Sequence, residues 1–217
     1  MAVVRMDGVE QTVSNIFCIG RNYAAHVAEL GNQLEEEPLV FLKPTSALSL
    51  NGQDIALPTY SNDVHHECEL VLLIGKGGHD IPVADALSHI AGVGIGLDLT
   101  ARDVQSEAKK GGKPWTKAKG FRHAACVSDF VAVSHVDVSR PFSFSLQVNG
   151  ETRQQGDTSL MLYPLATIIN YLSQTYGLTE GDLIYTGTPQ GVAALQAGDV
   201  LHLQLDGVVS ADWTVAA

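Results

Sequence analysis

Short apolar runs, punctuated by glycine and by turn pairs, set the pattern of this chain. Runs at 16–19, 39–42, 69–74, 92–97, 130–133, 143–148, 183–186 and 200–205 have the length and apolar content of strands. The pairs Asn51-Gly52, Asn149-Gly150 and Asp206-Gly207 bound several of them. Asn149-Gly150 joins 144–148 to 151–153 and predicts a hairpin, because both residue types tolerate the positive φ of a two-residue turn. Helical spacing is rarer. It predicts helices over 22–30 with Asn22 as N-cap and Gly31 as the stop, and over 82–90 opened by Pro82. Two more are predicted over 100–110, closed by Gly111-Gly112, and over 164–176, between Pro164 and Gly177. In the last, Leu165, Ile168, Ile169 and Leu172 follow the 3.6-residue period, so that face should pack on a sheet. Strands outnumber helices and do not alternate with them, which disfavours Rossmann folds and TIM barrels. The class expected is β-rich α+β.

Composition narrows the picture. A length of 217 residues with 45% hydrophobic and 17% charged residues predicts one globular domain, 1–217, in which 1–14 is a short N-terminal segment. A net charge of −11 repels phosphate backbones and anionic lipids, so neither a nucleic acid nor a membrane is expected as partner. The three cysteines, Cys18, Cys68 and Cys126, form no CxxC pair; with no secretory h-region at the start, a reducing cytoplasm is the expected location.

Five segments carry candidate chemistry. In 65–75, alternation along a strand puts Glu67 and Glu69 on one face and Cys68 on the other. Two adjacent carboxylates repel, and a hard cation such as Mg²⁺, Mn²⁺ or Ca²⁺ would relieve that; a solvated strand end is the plainer alternative. Asp98 ends the glycine-rich run 92–97, where Gly94 and Gly96 would leave space beneath it. It can be a third oxygen ligand or the cap of the next helix. The glycines do not spell a dinucleotide fingerprint, since Leu97 stands where GxGxxG needs glycine. His26 and Glu29 are three apart and share a helix face, as a base with its orienting carboxylate or as an exposed pair. Lys113, Lys117 and Lys119 cluster in an acidic chain, as a partner for a developing oxyanion or as solvated surface. The turn 186–191 has amides and hydroxyls that can hold a carboxylate or merely close a loop.

In their order, GRNYAAHVAELG, FLKP, HHECEL, GVGIGLDLTARDVQ, KPWTKAKGF, VNGETRQQG and TGTPQGV, these segments resemble the fumarylacetoacetate hydrolase family, over about residues 15 to 207. The size is similar to its compact members: acylpyruvate hydrolases, oxaloacetate decarboxylases and the hydroxy-heptadienedioate isomerases of aromatic catabolism. The resemblance implies a mixed β-sandwich roll, a homodimer, and one Mg²⁺ or Mn²⁺ held by Glu67, Glu69 and Asp98. It implies His26 and Glu29 as the dyad that activates water. It assigns Lys119, Arg102 and Gln105 to substrate binding and charge stabilisation, and Thr188 to the substrate carboxylate. The expected activity is hydrolysis of a carbon–carbon bond in 2,4-dioxo acids such as acetylpyruvate or fumarylpyruvate. Decarboxylation of oxaloacetate, or keto–enol or double-bond isomerisation, is the alternative on the same enolate chemistry. A module that binds a cation or diacid without catalysis is the reading from another class. Counting three carboxylates and a dication, the loaded site is expected to carry −1. One stretch departs from the family pattern: Gly120-Phe121-Arg122-His123-Ala124-Ala125-Cys126, where Arg122 or His123 would alter specificity if the loop bordered the pocket.

Overall fold

The alternation along 143–148, 200–205 and 209–215 buries every second side chain, as a sheet with one covered face requires. In the computed structural model, which describes residues 1–31, 33 and 35–217, these strands belong to a five-stranded sheet. Its order is Glu151–Asp157, Ser143–Val148, Val200–Leu205, Val209–Val215 and Asp54–Ile55. Its inner face, with Phe144, Leu146, Leu201, Leu203, Leu205 and Trp213, packs across the strands Cys68–Ile74 and Ile90–Asp98.

Those two strands are the centre of the other sheet, and Cys68–Ile74 is buried along its whole length. That sheet has eight strands, running Leu39–Lys43, Ile16–Gly20, Leu183–Tyr185, Cys68–Ile74, Ile90–Asp98, Ala125–Val127 and Leu48–Leu50, with Val131–Ala132 also on Ile90–Asp98. Most pairs in it are antiparallel, but Ile16–Gly20 with Leu183–Tyr185 and Ala125–Val127 with Leu48–Leu50 are parallel, so the sheet is mixed. The β-rich α+β class and the two-layered mixed arrangement agree with the sequence. The Asn149-Gly150 hairpin is present, with φ of 54° and 80°.

Helices are α1 (Ala24–Glu29), α2 (Arg102–Lys110), α3 (Thr116–Lys119) and α4 (Leu165–Thr175). The helix expected over 82–90 is only a 3₁₀ turn, Ala86–His89. Residues 82–88 close through i→i+3 bonds, Asp85 N to Pro82 O and Ser88 N to Asp85 O, and the chain enters a strand at Ile90 before a helix can propagate. The α4 stripe of Leu165, Ile168, Ile169 and Leu172 is buried, and its main partner is that turn rather than a sheet alone. α2 starts at Arg102 and not at Thr100, because Thr100 and Ala101 pair with His65 and Val64. The periodicity did not reveal the N-terminal hairpin Val3–Met6 and Val9–Thr12, or the last strand, Val209–Val215.

Gly94 and Gly96 do not open space under Asp98. A Cβ on Gly96 would stand 2.2 Å from Cys126 O and 3.0 Å from the Tyr185 ring; one on Gly94 would meet Ser128 Oγ at 2.9 Å. They admit close approach of the neighbouring strand and side chains. Gly96→Ala is therefore expected to destabilise the protein by more than about 2 kcal/mol, read as a lowered urea midpoint at unchanged m.

Candidate metal and substrate site

Glu67 stands just before the central strand Cys68–Ile74, Glu69 lies within it, and Asp98 ends its neighbour Ile90–Asp98. The register pairs Glu69 with Gly96 and Cys68 with Leu97, so Asp98 arrives beside Glu67. Asp98 N donates to Glu67 O at 2.9 Å. Each carboxylate offers an oxygen within 4.8 Å of the others, and all three residues are buried. The solvated strand end and the helix-cap readings both fail: Glu67 and Glu69 are 5% and 1% exposed, and α2 begins four residues after Asp98 with no side-chain cap.

Three buried or half-buried cations surround them. Lys119 Nζ bridges Glu67 Oε2 at 2.7 Å and Asp98 Oδ2 at 2.6 Å. Lys43, which enters from the edge strand Leu39–Lys43, sets its Nζ 2.6 Å from Asp98 Oδ1 and donates to the carbonyls of Leu99 and Lys119. Arg102 donates from Nη2 to Glu67 Oε1 and from Nη1 to Gln105 Oε1, the latter at 2.8 Å. Burial would raise Glu67, but Lys119, Arg102 and His26 hold it well below the usual carboxylate range. Burial also works against the Lys119 charge, yet Asp98 and Glu67 raise it above the ordinary lysine value. Glu69 is the exception. Burial, then Asp98 and Glu67, push its carboxyl well up; its hydrogen-bond donor is Gly187 N, 2.7 Å from Oε2. A carboxyl that its own neighbours keep from ionising, in a buried set of three oxygen donors, fits a hard divalent cation, which removes the repulsion. The count of −1 changes: three carboxylates face three cations, so a dication would bring the cluster to +2.

His26 sits on α1, with Nδ1 3.1 Å from Glu29 Oε2. Glu29 Oε1 accepts from Gly191 N at 2.9 Å, so the carboxylate is held at both oxygens. An ionised Glu29 can only accept; Nδ1 therefore carries the proton and Nε2 is left as the basic atom. α1 is placed by Asn22. Asn22 is not its N-cap, which is Tyr23; its amide instead ties Tyr163 N, Tyr163 O and Thr186 O together.

The turn 186–191 holds carboxylates, but the protein's own: Gly187 N serves Glu69 and Gly191 N serves Glu29. Thr188 Oγ1 donates to Cys68 O at 2.9 Å and accepts from Gln154 Nε2 at 2.9 Å. The same Gln154 also donates to Pro189 O and accepts at Oε1 from Cys68 N and His66 Nδ1. It is buried and fully bonded, and it fastens the second sheet to the strand that carries Glu69. In the sequence Gln154 is distinguished only by its place in VNGETRQQG, and Lys43 only by its place in FLKP.

One cavity is lined by His26, Glu67, Glu69, Asp98, Arg102, Gln105, Lys119 and Thr188. Glu29 stands behind His26. Lys113 and Lys117 lie outside it, Lys117 over the Tyr60 ring at 4.7 Å. Arg122 and His123 do not line it either: Ala56 N donates to His123 Nδ1 at 3.0 Å, and Arg122 Nε lies 3.1 Å from His123 Nε2. That loop departs from the family pattern away from the cavity wall.

Comparison with known proteins agrees with this geometry. Residues 15–216 match the family described as fumarylacetoacetate (FAA) hydrolase C-terminal. The chain is 46% identical over 196 residues to the mitochondrial oxaloacetate tautomerase FAHD1 of Rattus norvegicus, covering 90% of this chain and 89% of the relative. It is 42% identical over 200 residues to the oxaloacetate tautomerase YcgM of Escherichia coli, covering 92% and 91%. Among solved structures, the fumarylpyruvate hydrolase of Pseudomonas aeruginosa in complex with Mn²⁺ and pyruvate superposes with a TM-score of 0.94 at 37% identity, covering 100% of this chain and 97% of that one. Among the described residues no helix is long and apolar enough to cross a membrane.

Proposed function

Because this chain belongs to the fumarylacetoacetate hydrolase family, we propose that it is an oxaloacetate tautomerase that works with Mg²⁺ or Mn²⁺ held by Glu67, Glu69 and Asp98. The observation that carries this reading is the meeting, in one cavity, of an oriented base, a cation-binding carboxylate set and a buried ammonium. The two tautomerases among the relatives support it. Ca²⁺, another hard cation that takes oxygen ligands, could substitute.

When bound, the dication supplies Lewis acidity to the 2-oxo and carboxylate oxygens of the substrate. The rest falls to side chains. His26 Nε2 removes a proton from C3, and Glu29 stabilises the imidazolium that results. Negative charge moves to the C2 oxygen, where the Lys119 ammonium offsets it. Gln105 gives its oxygen to Arg102 and keeps its amide N–H groups for a ligand oxygen. Thr188 can donate to a substrate carboxylate only by releasing Cys68 O. Return of that proton from the His26 imidazolium to the C2 oxygen completes the enol and restores the base, and the reverse sequence restores the ketone.

A second reading, hydrolysis of acylpyruvates, is favoured by the same dyad, which can take a proton from water as readily as from carbon. Water adds to the distal carbonyl, the carbon–carbon bond breaks, and the pyruvate enolate leaves into the same stabilised position. The test is the loss of enol-oxaloacetate absorbance with purified protein, with and without Mn²⁺, beside a parallel assay with acetylpyruvate. Metal-dependent acceleration of the first is expected. An unchanged rate together with acetylpyruvate cleavage would replace the tautomerase by the hydrolase, and inertness toward both would leave a binding module. His26→Ala is expected to lower kcat about a thousandfold and leave Mn²⁺ affinity unchanged, since His26 is a base and not a ligand. Full activity in that variant would remove His26 from the mechanism.

A further inference from the structure

The cations on the cavity wall are paired, with one exception. Lys119 is held by Glu67 and Asp98, Arg102 by Glu67, and Arg21 by Glu35. Lys109, on α2, also lines the cavity, and among the described residues it has no carboxylate partner; its neighbour Lys110 takes Glu107 instead. Lys109 Nζ stands 5.2 Å from the centre of the Trp115 ring, and Trp115 is itself packed on Phe41, with ring centroids 6.0 Å apart. Lys109 stays partly open to solvent, and the ring beside it gives its charge a preferred position. Burial, then Arg21, Arg102 and Lys119, lowers its pKa, so the ammonium sits where positive charges crowd and an anion would be welcome.

The charge count points the same way. A metal-loaded cluster of +2 answers more negative charge than the single carboxylate of a 2-oxo monoacid brings. We propose that Lys109 is a specificity-determining residue that seats the far carboxylate of a 2-oxo diacid whose 2-oxo end lies at Glu67, Glu69 and Asp98. Trp115 supports the lysine from below, and the seat selects C4 dianions over monoanions of the same length. This rests on the reading that the cavity binds 2-oxo acids, and it adds the residue that distinguishes among them.

The test is equilibrium binding to the Mn²⁺-loaded protein of oxaloacetate and of 2-oxobutanoate, which carries a methyl group where oxaloacetate has its far carboxylate. The wild type is expected to prefer oxaloacetate. Lys109→Met should weaken oxaloacetate about tenfold and leave 2-oxobutanoate unchanged, and Lys109→Arg should restore most of the difference. Added salt should weaken oxaloacetate more than 2-oxobutanoate in the wild type, and by a smaller margin in Lys109→Met. Equal weakening of both ligands would mean that Lys109 acts on the shared 2-oxo end and would overturn the proposal, as would unchanged binding of oxaloacetate. If the wild type binds oxaloacetate in a Lys109-dependent way yet does not tautomerise it, the tautomerase reading fails and the seat stands. If neither ligand binds, both fall.

Discussion

Lys119→Met is expected to lower kcat about a thousandfold, the scale of removing one preorganised donor from a developing oxyanion. The same substitution should have a second signature that a purely catalytic residue would not show. Lys119 neutralises Glu67 and Asp98 in the buried cluster, at 2.7 and 2.6 Å. Without it the metal-free protein keeps buried carboxylates that have lost a counter-ion, a defect of about 3–5 kcal/mol. A cation held by those carboxylates replaces much of the missing charge. The gain in thermal midpoint on adding Mn²⁺ should therefore be larger for Lys119→Met than for the wild type. Calorimetric scans of both proteins with Mn²⁺ and with EDTA measure this directly. Equal gains would show that Lys119 and the cation do not share the same carboxylates.

Glu69→Gln separates cation binding from folding. Glutamine keeps the shape and keeps an oxygen for Gly187 N, so the hydrogen bond at 2.7 Å survives. It removes a carboxyl that burial, Asp98 and Glu67 already push well up. The metal-free variant should be as stable as the wild type or more so, because nothing favourable depends on that charge. Mn²⁺ affinity should fall by more than about a hundredfold, since loss of a group that merely supports a ligand already costs 10–100-fold. Titration of Mn²⁺ into each protein, with urea unfolding in EDTA, reads both effects. A stable variant that binds Mn²⁺ as tightly as the wild type would exclude Glu69 from the ligand set.

The parts of the site legible in the sequence are those that local periodicity encodes. Glu67 and Glu69 share a face because strands alternate, and Asp98 is conspicuous because it ends an apolar run. His26 and Glu29 meet because three residues separate them on α1. Lys43 and Gln154 were not legible in this way. Lys43 reaches Asp98 from an edge strand 55 positions earlier in the chain. Gln154 reaches Cys68 across 86 positions, from the other sheet. Their roles come from strand order, which periodicity does not carry. The same gap explains the misread glycines. Gly96 looked like room for a carboxylate, but what approaches it is the carbonyl of Cys126 on the paired strand. Over 82–90 the residue types suit a helix, and the strand that begins at Ile90 leaves no length for one.

The proposed activities share one requirement: that this cavity makes and stabilises the enolate of a 2-oxo acid. Tautomerisation, acylpyruvate cleavage and decarboxylation all pass through it. Exchange of the methyl protons of pyruvate in D₂O, followed by NMR, detects that step with no further chemistry required. With Mn²⁺ removed before acquisition to recover narrow lines, deuterium incorporation is expected to need the cation and to disappear in His26→Ala and Lys119→Met. Mn²⁺ and pyruvate bound to the wild-type protein without any exchange above the solvent rate would contradict it.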